Sequence, residues 1–234
     1  MGAYEVVCLD YPYLDGSFGW SEGNLIENLA QYFASKIETY QKVEIIGVSL
    51  GATISLRIKE ILGEKVHHLH LISSGGHKVA SFRKEMILTH LRDLGPEDFL
   101  LKSLEVGSSE DFDKSDFKSH FHQTQNLAQD YWDYYTKKLW SKKNVQQAQM
   151  ALCELVRASV EVNFEHLLER FQDHLSIIWA DQDKVFSMRF YEKFKSRAPR
   201  ARFYLLQNVG HFSPLETPER ILHILEGYEK PSSI

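Results

Sequence analysis

Gly47-Val48-Ser49-Leu50-Gly51 sets a serine between two glycines, each two residues away. The apolar run Val43-Glu44-Ile45-Ile46 precedes it and Ala52-Thr53-Ile54-Ser55-Leu56 follows, a pattern that reads strand, tight turn, helix. On such a turn the serine hydroxyl stands clear of the sheet edge, and small neighbours let two backbones crowd together. The next backbone N–H, that of Leu50, then points at the place where an oxyanion would form. A serine displayed this way becomes a nucleophile only if a base takes its proton and a carboxylate orients that base. His211, in Asn208-Val209-Gly210-His211-Phe212, is the one histidine in a strand-end context late in the chain, and Gly210 lets its loop turn back. Two carboxylates, Asp181 and Asp183, follow the apolar run Leu175 to Ala180, and spacing alone leaves both open as the orienting acid.

These residues need a scaffold, and the hydrophobic pattern predicts one of alternating strands and helices. Strands are expected at Tyr4–Leu9, Val43–Val48, Val66–Ser73, Leu175–Ala180 and Ala201–Leu206. Helices are expected at Asn24–Tyr40, after Ser49, at Phe186–Ala198 and at Thr217–Glu229, the last opened by Thr217-Pro218-Glu219. Strands separated by helices of this length imply right-handed β-α-β units and a parallel sheet, the α/β class. Between them, residues 75–173 differ in texture. They are rich in charged and aromatic residues, mostly helix-patterned, and are entered through Ser73-Ser74-Gly75-Gly76. The expected organisation is therefore a core of residues 1–74 and 174–234, with 75–173 a helical lid inserted between two strands.

Composition narrows the function classes. The 234 residues suffice for one good core. A net charge of −5 argues against nucleic acid or an anionic membrane surface as the main partner. No apolar run is long enough to span a bilayer, and no basic segment followed by an apolar one marks a signal peptide. Cys8 and Cys153 lie far apart in apolar surroundings, as buried free thiols of a reducing cytoplasm would.

Taken together the motifs resemble the α/β-hydrolase superfamily, in particular its lidded esterases, thioesterases and C–C bond hydrolases. The resemblance rests on Gly47-Val48-Ser49-Leu50-Gly51, on Ile177-Ile178-Trp179-Ala180-Asp181-Gln182-Asp183, and on Gly210-His211-Phe212-Ser213-Pro214-Leu215-Glu216-Thr217-Pro218-Glu219. The order Ser, Asp, His along the chain is that superfamily's order. It implies Ser49 as nucleophile, His211 as base, Leu50 N–H as an oxyanion donor, and Asp183 as the acid, three places after the small Ala180. Val6-Val7-Cys8-Leu9-Asp10-Tyr11-Pro12 matches the superfamily's strand ending in Asp-x-Pro. In the superfamily, earlier strands precede that segment, one of them ending in His-Gly and supplying a second oxyanion N–H. Here only Met1 to Ala3 precede Tyr4. The implied activity is hydrolysis of a small or medium carboxylic ester or thioester, with no metal or organic cofactor. The alternative is a hydrolase-fold protein that binds a ligand or partner with little or no turnover.

Other chemistry-bearing residues have plainer readings. His68 and His70 share a strand face, but no carboxylate or cysteine cluster accompanies them as a metal site would require. His120 and His122 are spaced i, i+2, which does not put two ligands on one helix face. Among the aromatics at 131–140, Trp132 and Tyr135 are the candidates to line an acyl pocket under the lid, with helix packing the equal alternative.

Overall fold

The computed structural model of the chain describes residues 5–12, 24–77, 85, 122, 154–155 and 157–232. Four strands form one sheet: β1 (Val43–Val48), β2 (Val66–Ile72), β3 (Leu175–Ala180) and β4 (Arg202–Leu206). They are all parallel and lie side by side in sequence order. Each crossover therefore advances in the same direction, and right-handed connections then put the crossover helices on one face of the sheet. That face carries α2 (Leu50–Leu62), α3 (Glu165–Phe171) and α4 (Met188–Arg197), together with α1 (Leu25–Ile37), which precedes β1. After β4 come the short α5 (Ser213–Glu216) and then α6 (Pro218–Leu225), which packs on the opposite face.

The period-2 alternation of the strands divides the core accordingly. Leu69, Leu71, Ile177, Trp179 and Phe203 point to the α1–α4 side, and Ile72, Ile178, Tyr204 and Leu206 to the α6 side. On that second face the other end of the sheet is polar. His70 and Glu44 are within 3.4 Å, and His68 Nε2 lies 2.9 Å from Ser176 Oγ.

Local chemistry explains where the helices begin. Asn24 is the N-cap of α1, its Oδ1 accepting from the N–H groups of Ile26 and Glu27. α1 buries Ile26, Leu29, Ala30, Phe33 and Ile37, a stripe at helical spacing, and a two-point Arg57–Glu27 ion pair joins it to α2. Lys59 is buried at the far end of α2, its Nζ donating to the Val66 carbonyl at 2.6 Å, with the Phe171 ring 5.3 Å away.

Several expectations are corrected. Residues 5–11 form no strand: Val6 is 81% exposed and Val7 and Leu9 are also exposed. A short apolar run becomes a strand only beside a partner edge, and among the described residues this segment pairs with none. Cys8 is consequently an exposed thiol rather than a buried one. The last long helix is shorter than its pattern, ending at Leu225 before the positive-φ Gly227, and α5 is an extra turn.

Most of the expected lid lies outside the described residues, as do Trp132, Tyr135, His120 and Cys153. The Gly76 carbonyl accepts from Phe164 N–H at 2.7 Å, so residues 76 and 164 lie side by side, and Leu155 and Val162 are already part of the main core. Leu167, Leu168 and Phe171 of α3 are buried in the main core although the expected lid span runs to residue 173. Among the described residues, no helix is long and apolar enough to cross a membrane.

Candidate active site

The carboxyl ends of the strands gather the residues that the sequence singled out. In open parallel sheets this edge is where ligands bind, because the loops there can change without disturbing the ladder. The ladder runs one residue past three strand ends, Ser49 N–H donating to Ile72 O, Ser73 N–H to Ile178 O and Asp181 N–H to Leu206 O. Non-glycine residues with positive φ are Ser49 (53°), Ser73 (47°) and Asn208 (59°) among the described residues, all in turns at this edge. Each such residue costs of order 1–3 kcal/mol, and strain of this kind collects at functional sites.

Ser49 forms the sharpest of these turns, with ψ at −115° and α2 starting at the next residue. Gly47 is what permits it. A Cβ there would lie 2.5 Å from Ala52 Cα and 2.6 Å from Ser55 Oγ, closer than atoms tolerate. Among the described residues Gly51 is under no such pressure, since a Cβ there would meet the Tyr11 hydroxyl at an ordinary 3.8 Å. The expectation of crowding on both sides of the serine therefore holds on one side. Leu50 is the first residue of α2, so its N–H has no acceptor within the helix and lies at the positive end of the helix dipole.

Asp183 and His211, the expected acid and base, come together after β3 and β4. His211 Nδ1 is 2.8 Å from Asp183 Oδ2, with both side chains buried. The other Asp183 oxygen, Oδ1, accepts from the N–H groups of Val185 and Phe186, each at 2.8 Å. Two backbone donors on one oxygen leave the second oxygen directed at the imidazole, which orients the ring and selects its Nδ1–H tautomer. Asp181, the other sequence candidate, does a different job. Its Oδ1 accepts from Val209 N–H at 3.3 Å, and Gln182 N–H donates to Val209 O, so this turn braces the loop that carries His211.

Three neighbours were not visible as site residues from the sequence. Phe186 packs edge-on against the His211 ring, centroids 5.6 Å apart, and is itself anchored by Trp179 Nε1–H donating to its carbonyl. Tyr11 sits beside the serine turn, and burial pushes its hydroxyl up to about 12, so it is a protonated group at neutral pH. Glu216 is buried, and its Oε1 accepts from Gly210 N–H at 2.9 Å. Glu216 and Tyr11 lay within quoted runs, the one after His211 and the one ending in Pro12, but the placement of Tyr11 and Phe186 depends on chain crossings that no local pattern encodes. Among the described residues no group of three or more His, Cys, Asp or Glu side chains is arranged to hold a metal ion.

The family profile for the alpha/beta hydrolase fold matches residues 3–218. The chain belongs to this family. A comparison with curated proteins by sequence returned no match. Among solved structures, a serine hydrolase involved in carbazole degradation is similar at a TM-score of 0.63 and 16% identity, over 90% of this chain and 73% of that one. A structure reported with carboxylesterases of the thaumarchaeon Nitrososphaera gargenis has a TM-score of 0.61 and 17% identity, over 87% of this chain and 71% of that one. A membrane phospholipase A described as a bacterial virulence factor has a TM-score of 0.62 and 20% identity, over 90% and 66%. At such identities the likeness concerns the fold, and neighbours this different in name leave the substrate to be argued from the site.

Proposed function

We propose that this α/β-hydrolase cleaves a small or medium carboxylic ester or thioester by way of an acyl-enzyme, with Ser49 as nucleophile, His211 as general base and Asp183 as the orienting acid. The observation that carries the reading is the buried 2.8 Å contact between His211 Nδ1 and Asp183, at the same sheet edge as the strained Ser49 turn. With Nδ1 engaged, the imidazole offers Nε2 to the reaction. His211 takes the Ser49 proton as the oxygen attacks the carbonyl carbon, and Leu50 N–H stabilises the oxyanion. The imidazolium returns that proton to the departing alkoxide or thiolate, leaving an ester between Ser49 and the acyl group. Water, deprotonated by His211, then attacks that ester and releases the acid. The negative charge of Asp183 offsets the imidazolium in both half-reactions. Such a cycle runs on the chain's own side chains and backbone donors. Trp132 and Tyr135 are proposed to line the acyl site, and a soluble cytoplasmic setting accords with the net charge and cysteine usage.

Labelling with a fluorophosphonate, read by intact mass, tests this without knowledge of the substrate. One adduct on the wild type that is missing from Ser49→Ala is the expected result, followed by turnover of short-chain aryl esters or acyl thioesters. A folded wild type that takes no adduct would overturn the reading and favour a ligand-binding role for the same fold.

A further inference from the structure

The loop that presents His211 is gripped at three consecutive residues by three carboxylates. Asp181 holds the Val209 N–H, Glu216 the Gly210 N–H, and Asp183 the His211 ring. Asp183 and Asp181 both come from the turn after β3, but Glu216 comes from α5 and is only 2% exposed. Its Oε1 accepts a second N–H as well, that of His122 at 3.1 Å, 94 residues earlier in the segment between β2 and β3. A carboxylate is retained in so buried a place only where its oxygens are hydrogen-bonded. Here the two donors share one oxygen and belong to chain segments remote in sequence. A displacement of either donor must carry the acceptor with it or break a bond.

From this we infer that Glu216 is a positioning residue for His211, and that through Glu216 the backbone N–H of His122 is coupled to the placement of the base. The inference rests on the reading of His211 as the general base. The Gly210 N–H is buried, one residue from the imidazole, and loses its acceptor when Glu216 is removed. That N–H belongs to the Val209–Gly210 peptide, which then loses one of its two anchors, Gln182 N–H on the Val209 carbonyl being the other, and the ring one residue on moves relative to the Ser49 hydroxyl. Glutamine at this position keeps an oxygen acceptor of the same reach, whereas alanine keeps none.

The test uses the full chain with Glu216→Ala, Glu216→Gln and Glu216→Asp. Two readouts are taken: the saturable rate of fluorophosphonate labelling, and the low-field proton resonance of His211 Nδ1–H, assigned by its loss in His211→Asn. In Glu216→Ala the maximal labelling rate is expected to fall about 10- to 100-fold at unchanged half-saturating reagent, the effect of an ångström-scale misplacement of the base. Glu216→Gln is expected to restore it to within about threefold of wild type, since the acceptor oxygen returns. Wild-type labelling in Glu216→Ala, or equal loss in the alanine and glutamine variants, would overturn the inference. If alanine prevents folding, Glu216→Asp, which withdraws the carboxylate by one methylene, must slow labelling while glutamine does not; the opposite ranking overturns it. If the wild type itself is not labelled, the triad reading fails, and the positioning inference is decided by the resonance alone. A shift or broadening in the alanine or aspartate variant supports it, and an unmoved resonance overturns it.

Discussion

The two turns that carry the proposed nucleophile and the proposed base are held in place by opposite means. At Ser49 the constraint is steric: a positive φ, a glycine two residues earlier that no side chain can replace, and a helix that begins at once. At His211 the constraint is polar, with Asp181, Asp183 and Glu216 each holding one group of the loop. Hard contacts fix a position against almost any perturbation, because repulsion rises steeply with approach. Hydrogen bonds fix it only while donors, acceptors and their surroundings keep their geometry. The Ser49 turn is thus set by the sheet and the helix that follows it, while the His211 loop is set by groups from the turn after β3 and from α5, where Glu216 also accepts the His122 N–H.

That contrast can be broken in order of expected effect. Ser49→Ala removes the attacking oxygen and is expected to lower ester turnover on the order of 10⁶-fold, read as kcat on the best substrate found, with folding unchanged by circular dichroism. Asp183→Asn leaves the ring its neighbour but reverses the tautomer, so kcat should drop on the order of 10⁴-fold. A variant within tenfold of wild type would show that Asp183 does not orient the base. Gly47→Ala attacks the steric turn. The added Cβ forces Ala52 and Ser55 away, and an overpacking cost of about 1–3 kcal/mol should appear as a fall in Tm of roughly 5 °C. Labelling of Ser49 should slow along with it; unchanged Tm and labelling would mean that the turn has room to relax. Asp181→Asn keeps an acceptor for Val209 N–H, and its effect on kcat should stay within about tenfold. A larger loss would make Asp181, not Asp183, the acid to reconsider.

The smallest effect separates the pH dependence of the fold from that of the histidine loop. His68, on the polar end of the sheet, has its titration pushed down from 6.5 to about 3, first by burial and then by His70 and Arg202. Below pH 6.5 the unfolded chain takes up this proton and the folded chain does not until about pH 3. Stability is therefore complete above pH 6.5 and falls as pH is lowered through that window. Tm measured from pH 7.5 to 4.5 should decline less steeply in His68→Gln than in the wild type. Equal slopes would show that His68 does not set the acid side.

Much of the scaffold was legible in the chain because it is written in local terms. The run Leu175 to Ala180 is apolar but for Ser176 and is buried along its whole length as β3, and the helix expected from Asn24 starts there, with Asn24 as its cap. Residues 5–11 misled for the complementary reason: Val6, Val7 and Leu9 satisfy a strand pattern, but pairing is a property of the neighbour's edge. Among the site residues, Ser49 announced itself through its glycines. Asp181 and Asp183 were indistinguishable by composition, since two carboxylates two residues apart differ only in where the turn aims them.

What the sequence determined by itself was the four strands of the sheet, most of their helices, and the order in which chemistry-bearing residues leave them: Ser49 after the run ending at Val48, the aspartates after Ala180, His211 after Leu206. Periodicity and turn residues encode these, and both are local. Which aspartate meets the imidazole, that Tyr11 lies beside the serine turn, and that Glu216 joins Gly210 to His122 were decided only by the tertiary structure. Each is a contact between segments tens of residues apart, made when the parallel crossovers bring the strand ends to one edge, and no local pattern carries the cost or the direction of such a meeting.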